Sequence, residues 1–148
     1  MLRLSKKADY ALMAMAHLAV KPGSSSAREI AEQYAIPIEL LAKVLQRLTR
    51  RGLLTSQQGT RGGYQLSRDA DAISVADVIN AIDGPVAVTA CSAHAGRCGQ
   101  FEKCNVRDPL FRIREIIVSA LATTSVSSLA SDQTAAAPAS VVALQGRS

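Results

Sequence analysis

Apolar residues recur with a helical period along the first fifty residues of the chain. Over residues 5–20 they fall every three or four positions, which predicts an amphipathic helix. Ser26 and Glu29 have the spacing of a capping box, in which a hydroxyl and a carboxylate bind the free backbone donors of a helix start. This pair predicts a second, short helix over residues 27–34.

A third helix and a change of period follow. Pro37 stands at a first helical position, and the pattern predicts a helix over residues 37–51. The apolar residues spaced to lie on one side of this helix are Ile38, Leu41, Val44, Leu45 and Leu48. Residues 53–57 and 64–67 alternate as two short strands, separated by a glycine-rich loop. Two helices, a turn, a third helix and a hairpin are the order of a winged helix-turn-helix.

The second half of the chain contains two predicted helices and a long irregular loop. Ser74 opens a fourth helix, and Gly84 ends it. Asp108 is the predicted N-cap of the last helix, with Pro109 in its first turn. Its apolar stripe consists of Leu110, Ile113, Ile117 and Leu121. This stripe either packs on its own domain or forms the seam of a dimer.

The predicted fold class is therefore mainly α with a small β wing, a winged helix-turn-helix followed by a long C-terminal dimerisation helix. The predicted organisation is a DNA-binding domain at 1–83, a cysteine loop at 84–107, a dimerisation helix at 108–130 and a disordered tail at 131–148. The loop is long for a compact domain, which is typical of a functional segment. The tail is predicted from its Ala, Ser, Thr and Pro composition.

Charge is distributed unevenly along the chain. The formal net charge is +5, but residues 1–68 hold 11 Lys and Arg against 4 Asp and Glu. A basic half is typical of a surface that meets phosphates, although surplus lysine can also serve solubility alone. Aromatic residues make up only 3%, without Trp, which argues against a stacking platform for single strands.

The predicted second helix of the helix-turn-helix supplies the candidate DNA contacts. Glu39, Lys43 and Gln46 can reach base edges, since they lie off the apolar stripe. The candidate phosphate contacts are Arg47, Arg50 and Arg51. Arg61, between glycines at the wing tip, can enter a minor groove or hold the backbone. One domain reads a short site, so a homodimer on a pseudo-palindromic duplex is expected. For any single arginine, the alternative is an exposed solubilising charge.

Three cysteines, Cys91, Cys98 and Cys104, lie close together, and the chain has no others. An odd number fits poorly with a disulfide framework and favours a metal or cluster site, or redox chemistry. The spacing Cys-x6-Cys-x5-Cys differs from the common zinc and ferredoxin runs. Thiolates suit both zinc and iron–sulfur clusters, so the ligand type leaves both open.

Several of these segments together resemble the IscR/NsrR-type family of winged-helix regulators. The resemblance rests on residues 2–6, on residues 9–12, on the wing at 59–64 and on the three-cysteine loop, and it covers about residues 1–130. The run at 98–109 is most similar to regulators of the SUF iron–sulfur assembly system. The resemblance implies a homodimer, a long dimerisation helix and an iron–sulfur cluster, [2Fe-2S] or [4Fe-4S], on the three cysteines, which controls DNA binding.

The identity of a fourth ligand is undetermined, because three thiolates leave one coordination position on the iron unfilled. Some members of the family use a His three residues past the last cysteine, but here Arg107 stands there, and its guanidinium stays protonated. Others use an N-terminal Asp from the partner subunit, and Asp9 matches that position. Asp9 is favoured over His94, with Glu102 and Asp108 also near the loop. An acid in the first turn of a helix is alternatively explained by the helix dipole.

The leading functional hypothesis is a cluster-controlled transcriptional repressor of iron–sulfur assembly genes. The alternatives are a repressor that senses nitric oxide or redox stress through the same cluster, and a winged-helix dimer with structural zinc. No enzyme or small-molecule substrate is predicted, because the glycine loop leads into a strand rather than a phosphate-binding helix. No apolar run reaches the roughly 18 residues of a membrane span, so a cytoplasmic protein without a membrane partner is expected. His17, among alanines, is predicted to be a core or interface residue.

Overall fold

The computed structural model describes residues 4–59, 62–86 and 105–135. The described elements in chain order are α1 (Lys6–Val20), α2 (Ala27–Tyr34), α3 (Ile38–Arg50), β1 (Leu54–Gln57), β2 (Gly63–Leu66), α4 (Val75–Asp83), α5 (Arg107–Thr123) and α6 (Val126–Ala135). A single 3₁₀ turn, Ala70–Ala72, precedes α4. The predicted winged helix-turn-helix is confirmed.

The helix starts follow local capping rules. Ser5, Ser26 and Ser74 each accept a hydrogen bond from a backbone N–H three residues on. At Ser74 the box is complete, because the Asp77 carboxylate accepts from the Ser74 N–H in return. The α3 helix begins after Pro37 and has no side-chain cap.

The core lies between α1 and the helices that surround it. The α1 helix contacts α3, α4 and α6, as well as β2. Its small buried residues, Ala11 and Ala14, let these neighbours approach closely, and Met15 fills the space between them. Leu41, Leu45 and Leu48 of α3, all fully buried, complete this core.

The last helical region differs from the prediction in two ways. The α5 helix begins at Arg107, with Val106 as its N-cap, so the predicted N-cap Asp108 lies in the first turn instead. Pro109 is tolerated there because the first-turn N–H groups have no partner inside the helix. A second helix, α6, then folds back on α1 and buries Val126 and Ala130. Residues 131–135 continue this helix, where the composition predicts a tail.

Candidate nucleic-acid interface

The α3 helix has a buried face and an opposite face that is polar and exposed. At 100° per residue, Glu39, Lys43, Gln46 and Arg50 fall on one line along the helix, opposite the buried leucines, and all four are exposed. We call these four residues the polar ridge. No hydrogen bond or ion pair engages their side chains among the described residues. The ridge therefore presents hydrogen-bond donors and acceptors, one negative charge and two positive charges to solvent.

Two arginines predicted on the same helix are placed differently from the ridge. Arg47 turns toward α4, where its Nε donates a hydrogen bond of 2.8 Å to the Ala81 carbonyl oxygen. A cation there also suits the negative end of the α4 dipole. Arg51, exposed at the end of α3, lines an open cavity of about 220 Å³ with Leu53, Arg68, Asp77, Asn80 and Ala81. Arg47 and Arg51 thus lie toward α4, at the margin of the ridge.

The turn before α3 fixes how the ridge is presented. Ala35 adopts a left-handed conformation, with φ 53° and ψ 43°. This reversal lets the Ile36 N–H donate to the Ala31 carbonyl at 3.0 Å and buries the Ile36 side chain. Pro37, Ile38 and Glu39 are exposed as a result. The N-terminal end of α3 consequently projects into solvent, as a recognition helix requires.

The wing is fastened to the loop that precedes α2. β1 and β2 are antiparallel, with Leu54 opposite Leu66 and Gln57 opposite Gly63. Beyond this hairpin, Ser25 and Tyr64 exchange two backbone hydrogen bonds, of 3.0 and 2.8 Å. A Cβ on Gly63 would lie 2.6 Å from the Ser25 carbonyl oxygen. Glycine at position 63 is therefore what permits the close approach. Arg61, the predicted wing contact, lies outside the described residues.

His17 joins this loop to the helix-turn-helix, and its burial agrees with the prediction of a core or interface residue. It is 6% exposed, with Nδ1 3.0 Å from the Tyr34 hydroxyl and Nε2 3.3 Å from the Ser25 hydroxyl. The Tyr34 ring packs edge-on against the imidazole at 5.5 Å. Burial, then the Lys21 cation, lower the pKa of His17 below its ordinary value of 6.5, against a smaller opposing effect of Glu29. His17 is thus uncharged at neutral pH and links Tyr34 to Ser25.

One exposed cation near the wing was not predicted from the sequence. Arg28 lies in the first turn of α2, three positions after the Ser25 that binds the wing strand. The sequence shows the capping serine that precedes Arg28. It does not show that this helix start lies beside the wing, because that depends on the bridge between Ser25 and Tyr64.

The predicted metal ligands lie mostly outside the described residues, which include none of Cys91, Cys98, Cys104 and His94. Asp9 is half-buried in the first turns of α1. Within the described ranges, no group of three or more His, Cys, Asp or Glu side chains is placed to hold a metal.

The described start of the cysteine loop is fixed to the rest of the molecule at two points. Ser5 donates to the Asp83 carboxylate through both its hydroxyl, at 2.5 Å, and its N–H, at 3.1 Å. Three residues further along the chain, the Arg114 Nε of α5 donates to the Val86 carbonyl oxygen at 3.0 Å. The loop therefore starts between the beginning of α1, which carries Asp9, and α5.

A helix-turn-helix with an exposed polar ridge and an attached wing defines a winged-helix transcriptional regulator. The model of the Rrf2 family, iron-dependent transcriptional regulators, matches residues 4–132. The chain belongs to the Rrf2 family, and it is a regulator of the IscR type rather than an enzyme.

Individual relatives agree with this assignment. The chain is 41% identical over 105 residues to the helix-turn-helix regulator ORF2 of Azotobacter vinelandii, covering 70% of this chain and 63% of that protein. It is 34% identical over 134 residues to the regulator IscR of Xenorhabdus nematophila, covering 89% of this chain and 81% of that protein. Among solved structures, the global cysteine regulator CymR of B. subtilis superposes with a TM-score of 0.72 at 30% identity, covering 88% of this chain and 98% of that chain.

In the described ranges, no helix is both long and apolar enough to cross a membrane.

Proposed function

We propose that the protein is a homodimeric repressor of iron–sulfur assembly genes, whose DNA affinity depends on an iron–sulfur cluster held by Cys91, Cys98 and Cys104. The observation that carries the DNA-binding part is the polar ridge on α3. Its four side chains stand free of protein partners, within the described ranges, on the face opposite the core. Its position on the second helix of a helix-turn-helix is the one that enters a major groove.

Within this proposal the ridge and the wing have separate roles. Glu39, Lys43 and Gln46 read base edges, and Arg50 holds a phosphate. Arg61 at the wing tip contacts the minor groove or the backbone. Arg51 adds a phosphate contact at the end of α3. The Nε of Arg47 is hydrogen-bonded to the Ala81 carbonyl oxygen, which positions α3 against α4. Arg47 can therefore contact a phosphate only through its two terminal guanidinium nitrogens.

The homodimer is supported by the surface of α5. Val106, Ile113 and Ile116 are exposed, with Ile116 at 69%. An apolar row of this kind on a solvent-exposed helix is costly for a monomer and typical of an interaction face. Pairing two copies through α5 would place two recognition helices on one pseudo-palindromic duplex.

The cluster is supported by the thiolate set and by the family, whose members are iron-dependent regulators. Thiolates bind iron–sulfur clusters, and the start of the loop that carries them is hydrogen-bonded to both α1 and α5. When bound, the cluster would supply a redox- and iron-sensitive centre. Asp9, at the start of α1, is the proposed fourth ligand from the partner subunit, ahead of His94.

The test of the DNA-binding part is the salt dependence of duplex binding. Arg50→Ala should lower the slope of log Kd against log salt by about one unit for each phosphate that is no longer neutralised, hence by about two units per dimer. Arg112→Ala, an exposed cation on α5, is the matched control and should leave the slope unchanged. Equal slopes for wild type and Arg50→Ala would show that Arg50 does not hold a phosphate.

The test of the cluster is anaerobic purification, followed by a visible spectrum and counts of iron, sulfide and zinc per chain. A coloured protein with matched iron and acid-labile sulfide, both absent after any one cysteine is changed to alanine, is the expected result. Stoichiometric zinc without colour would make the loop structural and would contradict cluster control. Iron and sulfide retained in a single cysteine variant would exclude that cysteine as a ligand.

A further inference from the structure

Ile38 is an apolar side chain exposed at the front of the recognition helix. The sequence pattern predicts that it belongs to the buried stripe of α3, but it is 43% exposed. The reason is its position in the first turn at the margin of the stripe, about 70° from the centre of the buried face at 100° per residue. Burying such a side chain is favourable, so Ile38 can add apolar contact area to whatever meets this end of α3.

Ile38 and Ala42 form a small apolar strip beside the polar ridge. They are one helical turn apart and therefore neighbours on the surface. Ile38 is exposed and Ala42 is half-buried, and neither belongs to the hydrophobic core or to the side chains that pack against it. The strip runs along the flank of Glu39 and Lys43, on the side of α3 away from Arg47 and α4. Whatever meets the ridge will also meet the strip.

We propose that Ile38, the larger side chain of the strip, reads thymine by contacting its C5-methyl group in the major groove. This rests on the proposed function, because it requires α3 to enter a major groove. The ridge carries Lys43 and Arg50 without ion-pair partners in the described part of the chain, so the charge next to the strip fits a polyanion. The thymine methyl is the apolar group that the major groove presents to a recognition helix.

The alternative partners of an exposed apolar strip fit this surface less well. A phosphate gains nothing from an isoleucine. A protein partner would have to cover a strip of only two side chains whose neighbours are a carboxylate and two cations. A base edge is different, because it combines polar groups for Glu39, Lys43 and Gln46 with a methyl group at the same depth.

The experiment removes only the methyl group. Duplexes are selected from a random library with the full-length protein, and each thymine of the selected sequence is then replaced singly by deoxyuridine. At one position per half-site, the replacement should weaken binding about fourfold, the value expected for one buried methyl-sized group. Replacing both half-sites together should weaken binding about fifteenfold if the two effects add.

Variants then assign that methyl to the strip. Ile38→Ala should bind the thymine and deoxyuridine duplexes equally, whereas Ile38→Leu should keep a preference for thymine. Gln46→Ala should weaken binding of both duplexes and leave their ratio unchanged. Circular dichroism checks that each variant is folded.

The outcomes separate this inference from the function on which it rests. Binding to selected duplexes with no deoxyuridine effect at any position would overturn the methyl contact and leave the regulator intact. A deoxyuridine effect that persists in Ile38→Ala would assign the methyl to another residue and would also overturn the proposal. Failure to select any duplex would instead contradict the DNA-binding function itself.

Discussion

At position 35 the turn of the helix-turn-helix depends on a residue that is poorly suited to it. Ala35 has φ 53°, and among the described residues it is the only non-glycine residue with positive φ. This conformation brings the Cβ of an L-residue close to the backbone and costs about 1–2 kcal/mol. Burial of the Ile36 side chain, which this turn makes possible, offsets the cost. The same turn directs the N-terminal end of α3 toward solvent.

Ala35→Gly should therefore stabilise the protein. Relief of the left-handed strain exceeds the added entropy of glycine in the unfolded chain, and we expect a gain of about 0.5–1 kcal/mol in the free energy of unfolding. Chemical denaturation with an unchanged m-value measures it. Ala72→Gly, in the exposed 3₁₀ turn, is the comparison and should not stabilise. A loss of stability in Ala35→Gly would show that the turn is not strained.

His17 makes stability depend on pH in one direction. Its pKa is lowered in the folded state, so the unfolded state binds the proton more readily. The stabilisation that it contributes is complete above pH 6.5 and is lost as the pH falls through the folded-state pKa. The groups that act on the imidazole are the hydroxyls of Ser25 and Tyr34, the Lys21 cation and, with a smaller effect, the Glu29 carboxylate.

In wild type, the free energy of unfolding should decrease as the pH falls from about 7, because His17 becomes protonated; His17→Gln should make this decrease smaller. It should also destabilise at neutral pH by about 1–3 kcal/mol, because it leaves a buried hydroxyl unpaired. Denaturation at a series of pH values gives both quantities. Tyr34→Phe, which keeps the imidazole, should lower stability but preserve the pH dependence. Parallel curves for wild type and His17→Gln would contradict the assignment.

Among the elements, the wing is stable only through its attachment. Two strands of four residues each are marginal as an isolated hairpin. The pair of backbone hydrogen bonds between Ser25 and Tyr64 extends the sheet by one bridge. Through Ser25 the wing is also connected to His17 and α1, so its orientation follows that of the helix-turn-helix.

Gly63→Ala should detach the wing, because the new methyl group would lie 2.6 Å from the Ser25 carbonyl oxygen. We expect a loss of about 1–3 kcal/mol in stability and faster hydrogen exchange at the Tyr64 amide, together with weaker duplex binding. Ser56→Ala, on the exposed face of β1, is the control and should leave all three unchanged. Unaltered protection of the Tyr64 amide would show that the loop yields to the methyl group.

On the scale of the whole molecule, α5 stands apart from the compact domain. It contacts α4, and α6 then returns to α1, so the core is closed without the outer face of α5. Ile113, which belongs to the predicted apolar stripe, is 44% exposed, and Ile116, beside the stripe, is 69% exposed. The sequence allowed the apolar stripe of α5 to pack either on its own domain or on a partner. In the structure its own domain covers this stripe only in part.

Ile116→Glu should convert the proposed dimer into a monomer while leaving the domain folded, because a charge would be buried at the seam. Light scattering after size exclusion measures the mass, and binding to a two-half-site duplex should fall with it. Val20→Glu, an equally apolar exposed site on α1, is the matched control. A wild-type protein that is monomeric at micromolar concentration would contradict the dimer directly.

Much of the fold followed from local rules that the sequence displays. Capping serines determine where α1, α2 and α4 begin, and the 3.6-residue period determines which side of a helix is apolar, since both depend on neighbours within a few positions. The ridge residues Glu39, Lys43, Gln46 and Arg50 were predicted for this reason. The same logic placed α2 over residues 27–34, which is its observed extent.

The tertiary structure decided what depends on contacts distant in sequence. Periodicity shows that a face is apolar but not how far its neighbours cover it, so Ile38 emerged exposed and Ala130 buried. The diversion of Arg47 to Ala81, the pairing of Ser25 with Tyr64 and the two partners of His17 join segments whose relation no local pattern records. The sequence by itself thus determined the elements from α1 to α5 and their order, whereas packing decided the return of α6 to α1 and which side chains remain for DNA.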